Sequence, residues 1–292
     1  MIVLLTALQR EYQAVRRRVT EEKVHRHPAG TLFTVGTLAG RPIALAVLGE
    51  GNTSAAALTE RAITEFRPAA VLFVGIAGAL RDWLQLGDVV VATRVYGYHG
   101  GTSEDHGFRA RPRAWDAAHH LEQVARHVEG DGGWWPEAEP RSRRPDVVFA
   151  PVAAGEVVLD STSSAAAVQL REHYADAVAI EMESAGAAKA SQLHRATPMI
   201  TIRSISDHAR GDKWVTDRTG APQVAADNAA AFAAAVVARL DPEADADSAE
   251  RRPPKGHTVT NTASGHANVV AQIGVVHGPV QFGTADRREG RS

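Results

Sequence analysis

Ala69-Ala70-Val71-Leu72-Phe73-Val74, followed by Gly75-Ile76-Ala77-Gly78, is the stretch on which the fold turns. Six consecutive apolar residues leave no polar face. That is the signature of a strand buried on both sides, and the glycine-rich segment reads as its end. The same pattern recurs outward in both directions. Residues 2–5 (IVLL), 32–35 (LFTV), 42–48 (PIALAVL), 88–93 (DVVVAT), 147–153 (VVFAPVA), 177–182 (AVAIEM) and 199–205 (MITIRSI) are short and rich in β-branched residues. Helices are predicted over 11–19, 55–66, 114–127, 184–193 and 223–240. The helix over 55–66 follows a break at Gly49-Glu50-Gly51-Asn52-Thr53-Ser54, which supplies N-cap residues. Residues 96–113, rich in Gly, His and charge, read as loop. Residues 129–145 read as an irregular insertion in which Trp134-Trp135 either packs or faces a partner. Apolar strands alternating with helices predict an α/β fold, a sheet covered by helices.

The chain has 292 residues, of which 44% are hydrophobic and 23% charged. Thirty-two basic against 34 acidic side chains give a net charge of -2, which offers nothing to a nucleic-acid polymer. The absence of cysteine rules out disulfides, thiolate metal sites and a cysteine nucleophile. No stretch approaches the roughly 20 apolar residues of a membrane span, and the apolar start is too short for a secretory leader. A cytoplasmic protein without a membrane span is expected.

Composition shifts at Asp241. Residues 241–250 (DPEADADSAE) carry five acids and lead into Arg251-Arg252-Pro253-Pro254, a solvated linker by charge and proline content. The expected organisation is a catalytic domain over 1–240, a linker over 241–256 and a flexible tail over 257–292.

Three separated segments carry carboxylates just past apolar runs. They are Thr6-Ala7-Leu8-Gln9-Arg10-Glu11, Ala179-Ile180-Glu181-Met182-Glu183-Ser184 and Arg203-Ser204-Ile205-Ser206-Asp207-His208. Each alone reads as a cap on the helix that follows. Together they sit where an open α/β sheet gathers its ligands, at the carboxyl ends of strands. Carboxylates there suit glycosidic chemistry, one as acid and another holding or activating water.

Those segments, with VLGEGNTSAAAL at 47–58, VLFVGIAGAL at 71–80 and LGDVVVA at 86–92, resemble the nucleoside phosphorylase and nucleosidase superfamily. The similarity is greatest to the methylthioadenosine/S-adenosylhomocysteine nucleosidases and covers residues 1–240. It implies a single domain with a mixed central sheet flanked by helices. It also implies a homodimer or higher homo-oligomer, no metal and no cofactor. By the resemblance Asp207 is the general acid at purine N7, with a raised pKa, oriented by Ser206. Glu183 binds the ribose hydroxyls, Met182 packs on the sugar, and Glu11 deprotonates the attacking water. Arg203 either orients that water or forms a buried ion pair, with Glu181 as its partner. Val158 and Leu159 sandwich the base, and Ile76, Ala77 and Gly78 line the site. The 5′ pocket is expected from residues 96–101 of a partner subunit.

The hexameric phosphorylases carry an Arg and a Ser for phosphate where this chain has Phe73 and Ile76, so water is the favoured nucleophile. A phosphate-dependent phosphorylase and an inactive nucleoside-binding signalling module are the alternatives. The small-molecule partner is a nucleoside with a thioether at 5′ or a 5′-phosphorylated nucleotide. His99, Glu104, Asp105 and His106 lack a metal-ligand spacing. The uncharged run from Val259 to Gly283 is either a plain tail or a self-pairing segment. Val270-Ala-Gln-Ile-Gly-Val-Val-His-Gly278 resembles bacterial amyloid signalling motifs. That resemblance implies an effector engaged by an NLR-like receptor through residues 261–282.

Overall fold

The computed structural model describes residues 1–135, 143–194, 197–211 and 213–240. The expectations for the linker, the tail and part of the 129–145 insertion lie outside these residues.

Among the described residues ten strands form one mixed sheet, in the order β11-β10-β6-β12-β5-β1-β4-β3-β2, with β9 beside β6. In chain order β1 is Ile2–Thr6, β2 Val19–Arg26, β3 Leu32–Leu38, β4 Arg41–Val47, β5 Ala70–Ala79 and β6 Val89–Gly97. A separate hairpin follows, β7 (Gly101–Glu104) with β8 (Gly107–Ala110). Then come β9 (Arg113–Asp116), β10 (Val147–Ala154), β11 (Ala179–Glu181) and β12 (Met199–Asp207). The helices are α1 (Gln9–Arg16), α2 (Asn52–Phe66), α3 (His119–Asp131), α4 (Ala165–His173), α5 (Ser184–Leu193), α6 (Lys213–Thr216) and α7 (Ala221–Arg239).

Strands β1, β5 and β12 are parallel neighbours and almost wholly buried, which is why β1 and the first part of β5 read as apolar runs, while β12 carries polar residues between its apolar ones. Strand β11 pairs in parallel with β10 and antiparallel with β5, matching Ile180 to Gly78. The strands β5, β12, β6, β10 and β11 therefore close a ring. The closure brings Glu181, at the end of β11, next to the ends of β5 and β12. Helices cover both faces. Phe232, Val236 and Val237 of α7 join the core formed by Leu4, Leu72, Val91 and Ile202, while Ala55 and Ile63 of α2 pack with Val3, Val71 and Phe73 on the other face.

Several expectations are corrected. Gly75–Gly78 does not end a strand, because β5 runs on to Ala79 and pairs Gly75 with Arg203. Residues 96–113 are not all loop, since they finish β6 and form the β7–β8 hairpin. The helix predicted over 114–127 begins at His119, and residues 113–116 pair with β6 instead. Helix α1 stops at Arg16, where an exposed edge strand begins at Val19. Trp134 takes the packing role, buried and edge-on to Phe232 at 5.2 Å between ring centres. No helix among the described residues is long and apolar enough to cross a membrane.

Candidate active site

Glu11 occupies the first turn of α1, immediately past β1. Its Oε2 accepts from the backbone N–H groups of Ala7 and Leu8, each at 2.8 Å, so it caps the helix as a lone carboxylate would. Its other oxygen leaves the helix. Oε1 accepts from the Ile76 N–H at 2.8 Å and stands 3.9 Å from Arg203 Nη1. Burial pushes the Glu11 carboxyl above its ordinary pKa, and Arg203 and the three N–H donors oppose that. Gly75 makes the approach possible. A Cβ there would fall 2.2 Å from Arg203 Nη1 and 2.4 Å from Glu11 Oε1.

Arg203 is wholly buried and gathers three carboxylates. Its Nη2 donates to Glu181 Oε2 and, at 3.2 Å, to Ser184 Oγ, and lies 3.7 Å from Glu183 Oε2. The guanidinium stacks 4.3 Å from the centre of the Phe73 ring. The expected ion pair with Glu181 is therefore present. Nε and Nη1 have no hydrogen-bond partner, and Nη1 is the nitrogen nearer Glu11. Glu181 is fully engaged in holding the turn into α5. It accepts from the Glu183 and Ser184 backbone N–H groups and from the Ser184 hydroxyl at 2.9 Å.

Glu183 is held more lightly. Its Oε1 accepts from the Gly51 N–H at 3.1 Å. Asn52 fixes that junction, donating to Gly155 O at 2.7 Å and accepting from the Gly186 N–H at 2.9 Å. The Glu183 pKa is pushed up to about 7, chiefly by burial and then by the neighbouring Glu181 charge. Arg203 and the Gly51 N–H only partly offset this.

Asp207 ends β12. Its Oδ1 accepts from the Ala209 N–H at 3.0 Å, and its Oδ2 accepts from the Ser206 hydroxyl at 2.8 Å and from Lys213 Nζ at 3.2 Å. The sequence reading missed Lys213. It follows Asp207 by six residues, and only the loop into α6 turns its ammonium back onto the carboxylate. Asp160 Oδ1 holds that loop, accepting from the N–H groups of Gly211 (2.6 Å) and Lys213 (3.4 Å).

One cavity is lined by Glu11, Ile76, Ala77, Gly78, Val158, Leu159, Glu181, Met182, Glu183, Ser206 and Asp207, all expected from the sequence. Arg203 lies behind this wall. Lys213 and Glu50 also line the cavity and were not expected. Val158 is 58% exposed at the cavity and Leu159 is buried beneath it. Among the described residues five carboxylates and a single ammonium face the space, so it favours a developing positive charge and opposes an incoming anion.

Two other expectations meet the geometry differently. Tyr98 is fully buried within this chain, its ring close against Gly155, and its backbone O accepts from Gln169 Nε2 at 2.7 Å. His99 Nδ1 accepts from the Glu156 N–H of the same chain at 2.9 Å. The Tyr98 ring is thus part of the core of this chain. Among the described residues no group of three His, Asp or Glu side chains could hold a metal ion.

Residues 1–241 match the family model of the phosphorylase superfamily. Among curated proteins, the chain is 28% identical over 218 residues to a 5′-methylthioadenosine/S-adenosylhomocysteine nucleosidase of Chromohalobacter salexigens, covering 71% of this chain and 84% of that one. The fold is similar to that of the Neisseria meningitidis nucleosidase of the same name, solved in complex with methylthio-immucillin-A. There the TM-score is 0.70 and the identity 24%, over 82% of this chain and 99% of that one. It is equally similar to futalosine hydrolase of Helicobacter pylori, with a TM-score of 0.70 and 22% identity over 82% and 97% of the two chains.

Proposed function

This chain belongs to the phosphorylase superfamily, and from that membership we propose that it is a purine nucleosidase, hydrolysing the N-glycosidic bond of an adenosine derivative. The observation that carries the reading is the convergence of Asp207, Glu183 and Glu11 on one cavity from three separate strand ends. A binding module has no use for three carboxylates of different environment around one ligand.

The base sits between Val158 and Leu159 with its five-membered ring toward Asp207, which delivers a proton to N7 so that the purine leaves neutral. Ser206 fixes the carboxyl. The sugar rests on Met182. Glu183 takes the ribose hydroxyls and, once ionised, offsets the positive charge that grows as the C1′–N9 bond opens. Glu11 receives the proton of the attacking water, which adds at C1′. Arg203 keeps Glu11 and Glu183 in place and tempers their mutual repulsion.

Water is a better nucleophile here than phosphate. A phosphate dianion would meet Glu11, Glu181 and Glu183, and Lys213, the one ammonium among the described lining residues, is already paired with Asp207. The same charge argument, with Glu50 in the wall, favours a thioether over a phosphate at the 5′ position. The curated relative above is named for methylthioadenosine and adenosylhomocysteine, in keeping with that choice. We further propose a homo-oligomer, measurable by light scattering. The segment 261–282 is proposed as an effector-controlling contact for an NLR-like receptor. A synthetic 261–282 peptide that stays monomeric with or without seeds would refute its self-pairing.

Base release from methylthioadenosine, adenosylhomocysteine, AMP and ATP, measured with and without phosphate, tests the function. Phosphate-independent release from the thioethers is expected, together with loss of release in Asp207→Asn. If neither the full chain nor a 1–240 form releases base, and D207N changes nothing, the reading is wrong.

A further inference from the structure

The carboxyl of Asp207 is surrounded by donors. The Ala209 N–H, the Ser206 hydroxyl and the Lys213 ammonium all point at it. A carboxyl that accepts three hydrogen bonds shows where the next proton can come from. Of the three donors the ammonium is by far the most acidic, and the only one that can yield its proton to a departing purine anion. Lys213 is also placed to be reloaded. Its side chain is 31% exposed, and Asp217 Oδ1 stands 3.8 Å from Nζ on its other side. The loop that carries it is tied down by Asp160, whose carboxylate accepts from the N–H of Lys213 itself.

We propose that Lys213 supplies the proton that the departing purine takes up at N7, passing it through the carboxyl of Asp207. The inference rests on the nucleosidase reading above. As the C1′–N9 bond breaks, its electron pair goes to the purine. A proton passes from Nζ to the Asp207 carboxylate and on to N7 as that bond opens, which leaves the carboxylate ionised as it began and Nζ a neutral amine. Solvent then returns a proton to Nζ, and the proton lost by the attacking water leaves through Glu11. An alkylammonium ion and a neutral purine are acids of similar strength, so the transfer between the two ends of the relay is close to balanced.

The test compares two leaving groups on the same sugar. One is the purine nucleoside that the wild type cleaves best. The other is the 4-nitrophenyl riboside with the same 5′ group, whose phenolate departs without a proton. Lys213→Met and Lys213→Gln are expected to lower kcat on the purine nucleoside by about 100-fold or more, with KM nearly constant and the loss on the nitrophenyl riboside at least tenfold smaller. Lys213→Arg is expected to rescue neither, because a guanidinium keeps the ion pair but does not give up a proton. Equal losses on both substrates, a K213M enzyme close to wild type, or rescue by K213R would overturn the proposal while leaving the nucleosidase reading intact. A wild type that cleaves neither substrate would overturn the nucleosidase reading itself, and the proposal with it.

Discussion

Replacing Glu183 by glutamine is expected to stabilise the folded protein at pH 8 and to do little at pH 5. The carboxyl's pKa rises from 4.5 to about 7 in the fold because it is buried beside Glu181. Below pH 4.5 folded and unfolded chains both hold the proton, and the displacement costs nothing. Between 4.5 and 7 the unfolded chain releases the proton and the folded chain does not, so stability falls as the pH rises through that window. At about 1.4 kcal/mol per unit, the full cost at pH 8 is about 3 kcal/mol, against less than about 1 kcal/mol at pH 5. Glutamine has no proton to lose and can still accept the Gly51 N–H at Oε1. The gain of E183Q over wild type therefore grows by about 2 kcal/mol or more from pH 5 to pH 8. For a domain of this size that corresponds to a Tm difference of about 4–8 °C. Thermal unfolding of both proteins at the two pH values reads it directly. Activity moves the other way, by about 100-fold or more downward, because the charge opposite the sugar is gone. An offset between the two proteins that is the same at both pH values would refute the reasoning.

Gly75→Ala is expected to abolish activity and destabilise the fold by about 3 kcal/mol. Its Cβ would enter the contact between Arg203 Nη1 and Glu11 Oε1, and neither group has room to withdraw. Chemical denaturation together with base release checks both effects. Arg203→Met strands three buried carboxylates and is expected to cost about 3–5 kcal/mol, read from the urea midpoint. Part of that loss returns as the pH is lowered, because the buried carboxyls can then take protons. Asp160→Ala frees the backbone N–H groups of Gly211 and Lys213, and is expected to lower kcat about tenfold while moving Tm by only a few degrees.

Most parallel strands were legible because burial on both faces leaves a largely apolar run, and the three carboxylate segments were legible because each follows such a stretch. What escaped did so for physical reasons. Strand β2, VTEEKVHR, is an exposed edge with a polar face and no apolar alternation to betray it. Gly75 and Gly78 carry the usual mark of a strand end, yet they lie inside β5. They are small because the side chains of Arg203, Glu11 and Asp207 press against them. Helix α4, Ala165–His173, has little contrast between its faces and left no periodic signal. Lys213 carries no local mark at all, since its part depends on Asp160, more than fifty residues earlier, folding the loop back. Residues 96–101 are expected at a neighbour's 5′ pocket, but nothing local in the sequence shows that the Tyr98 ring of this loop packs against Gly155 in its own chain.

The fate of the sugar separates hydrolysis from phosphorolysis and from mere binding. The full chain, incubated with methylthioadenosine in phosphate-free, oxygen-18-enriched water and followed by mass spectrometry, is expected to release free adenine and a methylthioribose carrying one heavy oxygen at C1. It is expected to do so at the same rate when phosphate is added. A sugar 1-phosphate, a rate that depends on phosphate, or intact substrate across the purine nucleosides would contradict it.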